Sequence, residues 1–332
     1  MNNRNFLIGF LAIGILIKFF LMTFSFHGDL AFIWAIPSTV KISDVFTFYK
    51  DYSQKYPEFY QSVSTVYYPP VSLWFVILTL PVLRFFSSSL QPWLVNLQQM
   101  LLSGQASSGK ELYINSMHQG ILFDLWLLKL PYFFFDIAVA WMIWKISGQK
   151  IKRGMLMFWW LNPINLYATY MMGQIDIIIA FFLVASVLLF KKHSLAALML
   201  TLVALMVKTY ALILVPIFFL IRQPIKQLTA LVIATATVIF FVIYPFAKTD
   251  QNSIISAFFP KIMAAPISCG FRPDAIWSCG KLLTAVGVLV YGLSLILNLG
   301  HLVEKKFFIY LVTGWLALFY FAYRGLLINH YL

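Results

Sequence analysis

Long apolar runs joined by short polar connectors set the pattern of this chain. The runs lie at 6–26, 70–86, 131–147, 154–171, 177–190, 228–246, 281–299 and 307–323. A helix needs about twenty apolar residues to cross the hydrocarbon of a bilayer, and fewer where protein covers it. Two stretches fit less simply. Run 195–221 is long and carries Lys208 at its middle, and 112–130 is a weaker span interrupted by His118, Asp124 and Lys129. There is no repeat of fixed period, no low-complexity tract and no soluble domain. The pattern predicts an all-α polytopic membrane protein of about nine to eleven transmembrane helices, a single domain over 1–332.

Basic residues set the orientation. The clusters "KISGQKIKR" (145–153), "KKHS" (191–194), "RQPIK" (222–226) and "EKK" (304–306) flank apolar runs, as cytoplasmic loops do. Run 6–26 follows a Met-Asn-Asn-Arg-Asn flank, and Leu21-Met22-Thr23-Phe24 is no small-residue cleavage site, so it reads as a retained first span. With a cytoplasmic N-terminus, 27–69 lie outside, Arg84 returns inside, and 112–130 brings the chain out near Lys129-Leu130-Pro131. The next run delivers 145–153 inside, "MMGQID" emerges outside, and Lys191-Lys192 comes back inside. For Arg222 and Lys226 to be inside too, 195–221 must enter and return as two short helices broken near Lys208-Thr209. That leaves 247–280 outside, 300–306 inside and the C-terminus outside. Polar chemistry then belongs to two outer loops, 27–69 and 247–280. The first holds "KISDVFTFYKDYSQKYPEFY", with the apolar spacing of a helix lying in the interface.

Composition strengthens the class and narrows the partners. Hydrophobic residues make up 61% of the 332 and charged ones 11%, whereas soluble domains carry about a quarter charged. Mean hydropathy is +0.85. The excess of 24 Lys and Arg over 11 Asp and Glu resembles that of a nucleic-acid binder, but its place beside apolar runs argues for membrane lipid and no nucleic acid. Cys269 and Cys279, in the second outer loop, are free to pair as a disulfide or to stay two thiols. No metal-type Cys/His spacing occurs.

The acidic residues are few enough to sort singly. Asp44, Asp51, Glu58, Glu111, Asp250 and Glu304 read as solvated charges. Asp124 and Asp136 lie within apolar runs, where a charge is costly and turns to protein or water; each has a structural pairing, with Lys129 for instance, or a direct role. Asp29, Asp176 and Asp274 all fall on the outer face, at or near the membrane surface, and converge on one expected pocket. For Asp176 a plain helix N-cap is the alternative.

In order along the chain stand "FHGDLAF", "VYYPPVSLWF" (66–75), "LNPINLYATYMMGQIDIII" (161–179), "VALMVKTYALILVPIFF" (203–219), "YPF" (244–246) and "FRPDAIWSC" (271–279). This series resembles the GT-C class of membrane glycosyltransferases, which use polyprenyl-phosphate sugars as donors. It is similar to two branches at once: the glucosyltransferases acting on lipid-linked oligosaccharide, and the first mannosyltransferase of GPI synthesis with its prokaryotic relatives. The resemblance covers roughly 25–325 and rests on the ordered series, since no single motif is decisive. It implies a GT-C-like bundle with a catalytic carboxylate on the first outer loop, and a lipid donor held by the second loop and the membrane face. In the glucosyltransferase branch the base precedes the YPP motif; here that position is Tyr68, so the Gly-Asp after the first span makes Asp29 the candidate. "INHYL" (328–332) is similar to a degraded His-Glu-Arg/Lys element in which only His330 matches. Either the chain is a fragment or that element is lost.

The expected chemistry is inverting transfer of mannose or glucose to a lipid-linked or glycan acceptor. Asp29 is the general base, with Arg272, Lys208 and Lys129 as cations for the leaving phosphate. Snorkelling to the interface is the alternative for each cation. Gln174, Asp176 and Asp274 would bind sugar hydroxyls. Tyr67 and Tyr68, before paired prolines, would shape the wall or anchor an aromatic belt. Without a Gly-rich phosphate loop or a tight Asp-x-Asp pair, no cofactor, no obligatory metal and no cytosolic nucleotide sugar are expected. A prokaryotic cytoplasmic membrane is the expected location. A transporter or flippase of lipid-linked sugars, or a noncatalytic membrane subunit, is the competing class.

Overall fold

Apolar side chains surround helix α1 (Asn3–Phe24), and those on its outer side are exposed. Ile13, Leu16, Phe20 and Phe24 point outward, while Lys18 and Met22 are wholly enclosed. A helix that is apolar all round belongs in protein or in lipid. The structure, a computed structural model, describes residues 3–56, 70–104, 109–147, 152–190, 193–208, 224–238, 240 and 244, and among these there is no strand. Two described helices are long and apolar enough to cross a membrane, Asn5–Phe24 and Ile121–Ile146. The number rises to three if Gly28–Thr39 and Ile42–Tyr52, bent by 114°, form one broken span.

After α1 come α2 (Gly28–Ala35), two 3-10 turns (Ile36–Thr39 and Ile42–Thr47), α3 (Phe48–Lys55), α4 (Pro70–Phe86), α5 (Leu90–Leu102) and α6 (Gly109–Asn115). Then follow α7 (Ile121–Ile146), α8 (Lys152–Trp160), a π-helical turn (Leu166–Met171), α9 (Asp176–Phe190), α10 (Ser194–Leu205) and α11 (Pro224–Val238). The chain divides into two compact units, Met1–Ala211 with Ala230–Phe258, and Leu212–Thr229 with Phe259–Leu332. Of the second, only 224–229 are described.

One polar knot ties α1, α7 and the 152–171 segment of the first unit together. Lys18 Nζ lies 2.6 Å from Asp136 Oδ2, with both side chains fully enclosed. The carboxylate also accepts from Trp159 Nε1 at 2.7 Å, Asn165 Nδ2 at 3.1 Å and Tyr170 OH at 2.5 Å. The ammonium sits 3.3 Å from the centre of the Trp160 ring. Around it pack Met22, Phe133, Ala140 and Leu156. Trp160 in turn lies flat on Gly14 and donates to Leu11 O at 3.1 Å. A Cβ at position 14 would stand 2.2 Å from the indole nitrogen, so glycine is what lets the ring in.

Several expected elements keep their bounds. Run 70–86 is a helix over Pro70–Phe86, 6–26 is largely α1, and 177–190 falls within α9. Helix α10 ends at Leu205, just before the break expected near Lys208-Thr209; the returning half lies outside the described residues, as do 281–299 and 307–323. Cys269 and Cys279 lie outside them too.

Three expectations are corrected. No turn occurs at Lys129-Leu130-Pro131: the expected spans 112–130 and 131–147 give way to one unbroken helix, α7, that runs through Pro131. Proline there gives up a backbone hydrogen bond, but Leu128, Lys129, Pro131 and Tyr132 are all buried, and packing on every side holds the helix together. Arg84 does not lie across from the first outer loop, because its Nη2 donates to Ser38 O at 2.6 Å. The apolar face of α4 explains this: Phe75 lies 5.7 Å from Trp34 and 6.0 Å from Tyr132, which draws α4 alongside α2 and α7. Lys129 pairs with neither Asp124 nor Asp136. Its Nζ donates to Ser25 O at 2.6 Å and to Ser25 Oγ at 2.8 Å, at the C-terminal end of α1 where carbonyls lack helical partners. Asp124 is held by Ser87 Oγ, by Ser89 Oγ at 2.8 Å and by His118 Nε2 at 2.7 Å.

Removing one partner of an enclosed ion pair strands the other charge, at a cost of about 3–5 kcal/mol. Asp136→Asn is therefore expected to lower the thermal unfolding midpoint of the detergent-solubilised protein sharply. The double variant Lys18→Met/Asp136→Asn should recover more than half of the loss, because the amide oxygen still accepts from Trp159 and the amide nitrogen can donate to the Tyr170 hydroxyl. Equal midpoints for the single and double variants would disprove the coupling.

Candidate functional site

At the ends of α1 and of the 152–171 segment, the chain makes two short polar connectors that meet. The first is His27-Gly28-Asp29. His27 has an extended backbone (φ −139°) and caps α2, its Nδ1 accepting from Asp29 N at 3.1 Å. Nδ1 is also 3.7 Å from Asp29 Oδ2. The bond from Asp29 N closes the cap, and the Asp29 carboxylate lies beside the same ring. A Cβ on Gly109 of α6 would meet Gly28 N at 3.0 Å, so glycine at 109 lets α6 approach this connector closely.

The second connector is Met172-Gly173-Gln174-Ile175. The π-helical turn widens the end of the segment, and Gln174 N closes back onto Ala168 O at 2.9 Å. Such turns recur at functional sites. Gly173 adopts φ +72°, a conformation that side-chain-bearing residues rarely take. A Cβ there would also stand 2.5 Å from Leu30 Cδ1. Glycine thus does two things at once: it reverses the chain, and it lets the connector press onto α2 beside Asp29.

The result is a pair of opposed contacts. Gln174 Nε2 donates to Asp29 Oδ2 at 2.6 Å. Two residues on, Asp176 Oδ1 accepts from Lys208 Nζ at 2.7 Å. Between them Ile175 is wholly enclosed and pins the backbone. Asp176 opens α9, where the helix dipole favours a negative charge. Lys208 follows the last turn of α10, and Met206 O accepts from Val71 N at 3.2 Å, bringing the start of α4 to the same place. The carboxylates stay reachable: the Asp29 side chain is 17% exposed, and Asp176 and Lys208 are 29% and 20% exposed.

Asp29, Gln174, Asp176 and Lys208 are therefore brought together from three distant parts of the sequence. Lys129 stands behind them, held by Ser25 four residues before Asp29. Tyr67, Tyr68, Arg272, Asp274 and His330 lie outside the described residues. Sequence reasoning passed over His27, Gly173 and Lys18. His27 and Gly173 each sit beside a singled-out residue, in "HGD" and "MGQID", where a polar connector after an apolar run needs a cap and a reversal. Lys18 carried one signal, a lone cation in an otherwise apolar span. Among the described residues no trio of His, Cys, Asp or Glu gathers to hold a metal.

A scan against protein-family models, a search of curated proteins and a search of solved structures found no match to this chain.

Gly173→Ala is expected to destabilise the protein by about 1–3 kcal/mol through strain at its left-handed backbone, together with the contact to Leu30. In a Leu30→Ala background the same change should cost measurably less by thermal unfolding, since the 2.5 Å approach to Cδ1 is gone and only the backbone strain and a 3.1 Å approach to the residue 30 Cβ remain. An identical cost in both backgrounds would remove Leu30 from the explanation.

Proposed function

We propose that this chain is an integral membrane glycosyltransferase that moves a hexose from a polyprenyl-phosphate donor to a lipid-linked or glycan acceptor. On this reading the remaining apolar runs complete a polytopic, GT-C-like bundle in a prokaryotic cytoplasmic membrane, with the Asp29 cluster on its outer face. The observation that carries the reading is the convergence of Asp29 with Gln174, and of Asp176 with Lys208, on either side of Ile175.

The division of labour follows from charge and reach. Gln174 holds one oxygen of Asp29, which fixes the orientation of the carboxylate without neutralising it. A carboxylate so oriented accepts the proton of the acceptor hydroxyl as that oxygen bonds to the anomeric carbon. The bond from the anomeric carbon to the phosphate oxygen breaks on the opposite side, and polyprenyl phosphate leaves with one more negative charge. A fixed cation stabilises that charge best in a partly dry site. Lys208, steadied by Asp176, is the cation proposed for it, and Asp176 and Gln174 would also meet sugar hydroxyls. Arg272, Asp274, Tyr67, Tyr68 and His330 keep the donor and sugar roles expected of them from the sequence.

The deciding assay offers labelled polyprenyl-phosphate mannose, polyprenyl-phosphate glucose and a nucleotide sugar to the purified protein in lipid, with acceptor-containing membrane extract. Label should pass from one lipid donor to a new product. Asp29→Asn should lower the rate at least a hundredfold, within the range of a lost general base, while the unfolding midpoint stays close to that of the parent. Lys208→Ala should lower the rate and raise the apparent KM for donor. Full activity in Asp29→Asn removes it as the base. If no donor is consumed and a lipid-linked sugar instead crosses the bilayer, the protein is a transporter.

A further inference from the structure

Buried polar atoms in folded proteins nearly always have partners, so a cluster without them needs a reason. Among the described residues, Ser38 Oγ, Arg84 Nε and Gln91 Oε1 are buried and have none. These three side chains belong to one place. The Ser38 carbonyl accepts from Arg84 Nη2 at 2.6 Å and from Gln91 Nε2 at 3.4 Å, which occupies both of its lone pairs. Ser38 itself is 3% exposed. Gln91 Oε1 belongs to the same amide whose nitrogen is engaged at that carbonyl, and it has no donor of its own.

Charge says what is missing. An arginine stays ionised at any ordinary pH. No carboxylate lies within ion-pair distance of Arg84 among the described residues. Two donors, the Arg84 Nε–H and the Ser38 hydroxyl, ask for an anionic acceptor, and Gln91 Oε1 asks for a hydroxyl. Arginine and a hydroxyl together suit a phosphodiester oxygen.

The neighbouring surface identifies the source. Along α4, Leu73, Val76, Ile77, Leu80 and Leu83 form a buried stripe. The opposite stripe is just as apolar, with Leu78 58%, Val82 59% and Phe85 86% exposed. Water is a poor neighbour for such a face, and acyl chains are a good one. It ends beside Arg84, where a headgroup would meet the guanidinium. A free phosphate would use the arginine and leave the apolar stripe bare; a lipid uses both.

We propose that Arg84, Ser38 and Gln91 form a binding site for the headgroup of an anionic, hydroxyl-bearing phospholipid whose chains lie along the exposed face of α4. The site rests on the membrane reading and not on sugar transfer, so normal transfer without lipid binding would refute the site alone.

The test titrates the detergent-solubilised protein with phosphatidylglycerol, phosphatidylmethanol, phosphatidylcholine and sodium phosphate, reading retained lipid by native mass spectrometry and unfolding by temperature. Phosphatidylglycerol should be retained and should raise the midpoint. Phosphatidylcholine and inorganic phosphate should do neither. Arg84→Ala should weaken phosphatidylglycerol at least tenfold. Gln91→Leu, which keeps the charge, should erase its advantage over phosphatidylmethanol. Ser38→Ala gives a second, milder variant should Arg84→Ala fold poorly, and it should weaken phosphatidylglycerol as well. The proposal fails if phosphatidylglycerol binds the parent no better than phosphatidylcholine. It also fails if inorganic phosphate competes as tightly as lipid, or if neither Arg84→Ala nor Ser38→Ala alters binding.

Discussion

The enclosed pair Lys18–Asp136 is the constraint on which the rest of the first unit depends. Two charges out of water are held only when polar partners surround them, and here the carboxylate's capacity is filled from three elements while the ammonium meets that carboxylate and the Trp160 ring. Helix α1 supplies the ammonium, α7 the carboxylate, and the 152–171 segment supplies Trp159, Asn165, Tyr170 and the Trp160 ring. Each of these has to be at one height relative to the others. Apolar packing alone tolerates sliding of helix on helix; a saturated carboxylate does not.

From that fixed height the polar cluster at the chain reversals follows. Tyr170 donates its hydroxyl to Asp136, and its carbonyl accepts from Ser25 Oγ at 2.9 Å. Ser25 in turn receives Lys129. Three residues after Tyr170 the chain reverses at Gly173, and two residues after Ser25 it caps α2 at His27. Gln174 and Asp29 are thus both set a short, stiff distance from one buried anchor. The 2.6 Å contact between them is a product of that anchoring more than a cause of the fold.

Much of this was legible in the sequence, and what was not has a physical reason. The bounds of α4, and the start of α9 at Asp176, follow from proline and carboxylate positions next to unbroken apolar runs. Asp29 and Asp176 were expected in one pocket with Gln174 lining it and Lys208 as a cation, and the four do meet; Asp274, the third carboxylate of that expectation, lies outside the described residues. Three things escaped. Pro131 was read as a boundary because proline usually is one, and only the packing around Tyr132 shows why it is not. Asp136 was offered Lys129, which shares its face of the helix but stands two turns away, about 10 Å along the axis; its true partner is 118 residues distant. Arg84 was placed by the alternation of spans, which knows nothing of the ring contacts that lay α4 beside α2.

Synthesis order gives Lys18 a further significance. Its carboxylate partner leaves the ribosome 118 residues after it does, and the tyrosine and indole that complete the knot come later still. Until then α1 carries an ammonium with no counter-charge, and such a side chain bends toward the nearest polar boundary. The first helix can therefore settle to its final depth and rotation only once the seventh exists. A helix made well before its partner is positioned only after that partner.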